Sequence, residues 1–278
     1  MEDLKSQIIK HNFSFKKSLG QNFLTDTNLL DSIVTLAGVD ETTTVLEIGL
    51  GAGALTKALA KKAKKVYGYE IDRSLKPVLD ENLSGLDNIE ITYLDIMKEK
   101  LDLLEKKVGD DYFVVANLPY YITTPILMNF IEKAKKVKSL TIMVQEEVAK
   151  RLVSKENTED YGAITVSIGS VANAKIIKRV PKEMFTPRPK VDSAVVRIDK
   201  DREKFGTFNK EVLRDTIRCA FNNRRKTLSN NLMNYFKFSR EVADGILQKA
   251  GIEKEKRGET LSVEKFIELS KVIEEVKG

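Results

Sequence analysis

Asn117, Leu118, Pro119 and Tyr120 are the residues of this sequence best suited to act on a ligand together. They follow Tyr112–Ala116, a short apolar, β-rich run that reads as a buried strand. Pro119 bars regular continuation of a strand ladder and biases Leu118 towards an extended conformation. A side-chain amide, a free main-chain carbonyl and an aromatic face thus emerge together just past a strand's carboxyl end, where open α/β sheets bind ligands. The amide oxygen and the carbonyl are both acceptors, which suits an exocyclic –NH2, and Tyr120 can stack on the ring that carries it. An adenine amine fits that description. A plain proline turn with a surface Asn fits the four residues equally well, so the elements around them have to decide.

Those elements repeat. Thr43–Ile48 reads as a buried strand running into Gly49-Leu50-Gly51-Ala52-Gly53, with a helix expected over Lys57–Lys64. Glycines at that junction let the backbone turn sharply and approach a ligand closely. The spacing is G-x-G-x-G after the acidic Glu47, not the G-x-G-x-x-G that seats a pyrophosphate on a helix N-terminus. S-adenosylmethionine carries no phosphate and has a cationic sulfonium and ammonium, so an acidic residue beside the loop suits it better. The next strand, Lys65–Ile71, contains Glu70 about 20 residues past the glycines, the usual place for a carboxylate on ribose hydroxyls. A third strand, Asn88–Leu94, ends in Asp95-Ile96, where Asp95 could accept the amine of a cofactor adenine. Polar groups at successive strand ends (Gly49, Glu70, Asp95, Asn117) imply one shared crevice along one edge of a parallel sheet.

Further elements follow on either side. Residues 1–20 are polar and basic and are expected to be loosely held. Gln21-Asn22-Phe23-Leu24 reads either as a hydrophobic staple or as a ligand contact ahead of a helix capped by Thr25 or Asp26. A helix is expected over Ser74–Leu83, interrupted near Pro77, another over Leu101–Val108, and a third with Pro125 in its first turn. Ser139–Gln145, Ala163–Val171, Lys175–Val180 and Ala194–Ile198 read as strands. Phe185, on a loop stiffened by Pro187 and Pro189, is either a core plug or a second stacking face opposite Tyr120. A polar stretch over Asp199–Asn209 marks a boundary, beyond which only helices are expected.

Composition narrows the classes. With 42% hydrophobic and 32% charged residues the chain has ample core, and no apolar run approaches the ~20 residues that span a bilayer. A single cysteine, Cys219, excludes an internal disulfide, and with the single His11 it leaves too few soft ligands for a zinc site. A cytoplasmic enzyme without a metal is expected. The net charge is +6, and residues 200–278 alone hold 18 Lys and Arg against 13 Asp and Glu. Arg218, Arg224, Arg225 and Lys226 lie there near Phe221, a pattern of nucleic-acid backbone contact or of a solvated face.

Taken together, QNFL, EIGLGAG, YEID, LDI, NLPYYITTP and FTPRPKVDSAVV resemble the ribosomal RNA adenine dimethyltransferases, from about Leu19 to at least Leu232. PRPKVDSAVV and FNNRRKTLSNNL look more like the small-subunit enzymes than the macrolide-resistance methyltransferases of the large subunit. The resemblance implies an α/β fold, a Rossmann-like class I methyltransferase sheet of seven strands with the last antiparallel, and a small all-helical C-terminal domain. The composition sets the expected bounds: a flexible basic segment over 1–20, a methyltransferase domain over 21–199 and a helical RNA-contacting domain over 200–278. The resemblance puts Asn22 and Leu24 against S-adenosylmethionine, Gly49 at its methionine end, Glu70 on the ribose, Asp95 on the adenine and Asn117 where cofactor and base meet. Glu47, Gly51, Gly53 and Ile96, read from the loop and strand ends, complete the expected cofactor site. Asn117, Leu118, Tyr120 and Phe185 are then the residues that meet the target base. The expected partner is small-subunit rRNA or an immature small subunit, met as a monomer. A DNA adenine methyltransferase and a non-catalytic RNA-binding assembly factor are the rival readings.

Overall fold

In the computed structural model, which describes residues 10, 22–201 and 203–277, the chain divides into two compact units. The N-terminal stretch expected to be loose, His11 included, lies outside the described residues. The first unit comprises residues up to 149 together with 175–199, and the second comprises residues 150–174 together with 200–278. Residues 150–174 thus fall with the C-terminal helices, although the composition shifts only near residue 200.

The first unit is built on a seven-stranded sheet. Its strands are β2 (Thr44–Ile48), β3 (Lys65–Tyr69), β4 (Ile89–Thr92), β5 (Tyr112–Asn117), β6 (Val137–Gln145), β7 (Ala172–Val180) and β9 (Ser193–Lys200). Their order across the sheet is β4-β3-β2-β5-β6-β9-β7. β4, β3, β2, β5 and β6 run parallel, and β9 is antiparallel to β6. This is the expected class, with an antiparallel strand closing the set. The chain winds outward from β2 to β4 and then returns to β5, so β2 and β5 flank the switch point at which open sheets leave a crevice. β2, buried at four of its five positions, reads as a continuous apolar run because helices cover it. Those helices are α1 (Thr27–Leu36) and α2 (Ala54–Ala60). Leu30, Ile33, Leu55 and Leu59 from them share a core with Val45, Val115 and Val195 of the sheet.

Several expected boundaries moved. Asp26 caps α1, accepting from the Leu29 N–H at 2.8 Å. α2 begins at Ala54 directly after the glycines, not at Lys57. Past Asp72 a short 3-10 turn over Arg73–Leu75 leads into α3 (Lys76–Asn82), which tolerates Pro77 in its first turn. α4 (Leu101–Val108) matches its expected span. α5 (Tyr120–Lys133) starts well before Pro125, which sits inside the helix and withholds one N–H from the ladder. A two-stranded ribbon was not foreseen. β1 (Phe23–Leu24) pairs antiparallel with β8 (Phe185–Thr186), Phe23 opposite Thr186 and Leu24 opposite Phe185.

The second unit is helical apart from the start of β7 and the end of β9. After α6 (Glu146–Val153), which spans the division, it contains α7 (Ala163–Gly169), α8 (Lys210–Asn222), α9 (Leu228–Phe236), α10 (Arg240–Lys249) and α11 (Val263–Lys277). α7 corrects the strand expected over 163–171. Its β-branched run favours a strand locally, but Thr165 accepts the Gly162 N–H and Val166 enters a core with Ile217, Phe266 and Ile273. Phe221 stacks on Phe266 at 5.7 Å in that core, and Tyr161 donates its hydroxyl to the Leu261 carbonyl at 2.7 Å. Cys219 is buried there and its thiol is pushed up to about 12, as for an inert packing residue.

Candidate active site

Because β2, β3, β4 and β5 are parallel neighbours, their carboxyl ends open on one edge. Short hydrogen bonds hold those ends in step: Gly49 N–H to the Tyr69 carbonyl at 2.8 Å, and Glu70 N–H to the Thr92 carbonyl at 3.1 Å. The result is a cleft of about 410 Å³ in the first unit. Gly49, Gly51, Gly53, Glu70, Asp95, Ile96, Asn117 and Leu118 line it, as do Asn22, Leu24 and Phe185. One cavity therefore brings together nearly every residue singled out in the sequence.

The glycine loop is shaped by backbone that only glycine adopts freely, with φ of 77°, 55° and 84° at Gly49, Gly51 and Gly53. At Gly51 space is also short, since a Cβ would lie 3.0 Å from Cε1 of Phe23. Glu70 is buried, with Oε2 accepting the Gly51 N–H at 3.0 Å and Oε1 the Asp72 N–H at 2.8 Å. Burial pushes its carboxyl up from the ordinary range, and those two N–H bonds oppose the shift. Each oxygen keeps a lone pair, so the carboxylate can serve the loop and a ligand's hydroxyls at once. Asp95 commits Oδ1 to the Met97 N–H at 2.9 Å, and Oδ2 has no partner among the described residues. Apolar Ile71 and Leu94, both exposed, line the cleft alongside these acids.

Asn117 ends β5, and its Nδ2 donates to the Asn22 carbonyl at 3.3 Å. Oδ1 is thereby left as an acceptor beside Leu118. The backbone of Tyr120 opens α5, and its side chain lies outside the described residues. Phe185 is only 4% exposed and packs in the core with Leu24, so most of its ring is a plug, while some of it faces the cleft.

Glu47 is the exception. It is fully buried in β2 and absent from the cleft lining, and its carboxylate oxygens meet no hydrogen-bond donor in good geometry among the described residues. Desolvation raises its carboxyl to about 8, with the nearby Thr56 hydroxyl lowering it and the Glu70 charge raising it. A direct cofactor contact is therefore not where the structure places this side chain. The alternation of a strand carried the warning: Ile48, its neighbour, lines the cleft, and Glu47 points to the other face.

Two contacts carried no sequence signal, although Phe23 itself lies in the QNFL stretch. Asn82, at the end of α3, donates to the Ala52 carbonyl at 2.8 Å and so braces the glycine loop. Phe23 packs over Gly51 from the β1–β8 ribbon. Both partnerships depend on chain segments 28 or more residues apart, which no local pattern reveals.

Sheet, glycine loop and strand-end carboxylates define a class I methyltransferase fold. The sequence profile described as "Ribosomal RNA adenine dimethylase" matches residues 12–274, and the chain belongs to that family. Among its relatives, "Ribosomal RNA small subunit methyltransferase A" of Bacillus pumilus is 43% identical over 97% of this chain and 95% of its own. The protein of the same name from Clostridioides difficile is 41% identical over 97% and 94%. Of solved structures, a dimethyladenosine transferase from Plasmodium falciparum superposes with a TM-score of 0.77 at 25% identity, covering 89% of this chain and 95% of that one. The 23S rRNA methyltransferase ErmE gives 0.69 at 27%, covering 91% and 99%.

Proposed function

We propose that this protein is an S-adenosylmethionine-dependent rRNA adenine N6,N6-dimethyltransferase acting on small-subunit rRNA. The observation that carries the reading is the convergence of Glu70, Asp95 and Asn117 on one cleft, each with an acceptor to spare. Near-full-length similarity to small-subunit methyltransferases supports the choice of subunit.

The cleft suits the cofactor. Glu70 would take ribose hydroxyls, Asp95 Oδ2 the adenine amine between the apolar walls Ile71 and Ile96, and the crowded glycine loop the methionine end. When bound, S-adenosylmethionine supplies an electrophilic methyl group on sulfonium. The protein's part is to prepare the nucleophile. An aromatic amine is a poor one because its lone pair is conjugated with the ring. Accepting N6–H bonds at Asn117 Oδ1 and the Leu118 carbonyl favours a pyramidal nitrogen and holds it in place, which is catalysis by positioning and electrostatics. Tyr120 stacks on the extruded base, a contact of roughly 1–3 kcal/mol, with Phe185 as a wall. No strong general base is needed, since the amine becomes acidic once methylated. The C-terminal helices grip RNA phosphates, and a cytoplasmic monomer is the expected form. Among the described residues no helix is long and apolar enough to cross a membrane.

The decisive test is transfer of labelled methyl groups to unmodified small subunits, followed by mapping of the modified nucleotide. Dimethyladenosine in small-subunit rRNA is the expected product. Transfer to duplex DNA or to large subunits instead would reject the reading, and absence of transfer would favour an assembly factor.

A further inference from the structure

An asparagine amide has two unlike ends, and turning it over would present N–H groups where the target amine needs an acceptor. The only side-chain hydrogen bond of Asn117 among the described residues is the one from Nδ2 to the Asn22 carbonyl, 3.3 Å long and 95 positions distant in sequence. That carbonyl is firmly mounted. Phe23, the next residue, is buried and held over Gly51, and Leu24, also buried, is paired with Phe185 in the β1–β8 ribbon. We infer that the Asn22 main-chain carbonyl is a positioning group for methyl transfer, fixing the Asn117 amide with Oδ1 towards the target amine, and that the β1–β8 ribbon is its mount. This rests on reading Asn117 as the acceptor for that amine.

The ribbon then has two duties. It closes over the glycine loop through Phe23, and it orients the group that meets the substrate through Asn22. A weakened Asn22 carbonyl should slow the chemical step without loosening the cofactor. Phenyllactic acid in place of Phe23 converts the Asn22–Phe23 peptide to an ester, keeping the side chain and making the Asn22 carbonyl a poorer acceptor. The expected result on small subunits is a kcat lowered about five- to tenfold, the scale of one weakened hydrogen bond, with cofactor KM unchanged within about twofold. The matching ester at Thr186, opposite Phe23 across the ribbon, disturbs the same ribbon but spares the Asn22 carbonyl, and its kcat should stay near wild type. A Phe23 ester with wild-type kcat, or two esters equally slow, would overturn the inference. Asn117→Ala in the same assay keeps the two readings apart: if it stays active, the role of Asn117 itself falls, and if it is inactive beside a silent Phe23 ester, only the carbonyl's role does. A measurement on the intact protein guards against misfolding of the ester. In 15N-asparagine-labelled protein the Asn117 side-chain amide, assigned by its loss in Asn117→Ala, should show one proton shifted downfield and slow to exchange. Two fast-exchanging protons at the shifts of a free asparagine amide would overturn the assignment.

Discussion

At Asn117 a single amide donates its nitrogen to the Asn22 carbonyl and keeps its oxygen as an acceptor at the cleft, so on the proposed reading replacing it should separate chemistry from binding. Asn117→Ala is expected to lower kcat by at least about a hundredfold, the range for loss of one transition-state hydrogen-bonding group, while calorimetry shows little change in cofactor affinity. Glu70 behaves in the opposite sense. Glu70→Ala removes the proposed ribose contact and also frees the Gly51 N–H, so cofactor affinity should fall while RNA binding in a filter assay is retained. Glu47 makes a prediction about pH. Its carboxyl is raised to about 8 in the folded chain, against an ordinary value of 4.5. Stability from this site is fully present below pH 4.5, falls as pH rises through that window, and is flat above about 8. Glu47→Gln should therefore unfold at higher denaturant concentration than wild type at pH 8, and the two should converge near pH 5. A shift of this size is on the order of several kcal/mol, so chemical denaturation at the two pH values resolves it.

Two elements at the rim of the cleft differ in how far the sequence reveals them. The glycine loop was legible because its residue types are chemically singular, whereas the β1–β8 ribbon has only two residues in each strand and no alternation to detect. Their contact gives the prediction at this scale. Gly51→Ala puts a side chain at φ of 55° and 3.0 Å from Phe23, so it should cost about 1–3 kcal/mol of stability and weaken cofactor binding. Phe23→Ala removes a buried ring and is costly by itself, but it relieves the crowding, so in thermal melts Gly51→Ala should cost less in the Phe23→Ala background than in wild type, the backbone strain remaining. The α7 correction belongs here too. A run of β-branched residues looks like a strand until a core such as that around Phe266 offers it a helical face.

For the molecule as a whole, the second unit's basic residues are not equivalent. Arg224 donates to the carbonyls of Tyr161 and Glu159 at 3.0 and 3.2 Å, so it is committed to the fold of its unit. Arg225 and Lys226 are exposed, and their side chains have no partner among the described residues. The double change Arg225→Ala with Lys226→Ala should weaken RNA binding and flatten its logarithmic salt dependence by about 1–2, leaving cofactor affinity and melting temperature in place. Arg224→Ala should instead lower the melting temperature.

The sequence alone determined the parallel sheet, the glycine loop and the acids at its strand ends. Those depend on short-range periodicity and on residue types with few alternative uses. Only the tertiary structure decided that Glu47 faces away from the cleft, that residues 150–174 join the helical unit, and that the Asn22 carbonyl reaches Asn117. Each of these is a contact between distant segments or a choice of strand face, set by which surfaces become buried together and by nothing within a few residues along the chain.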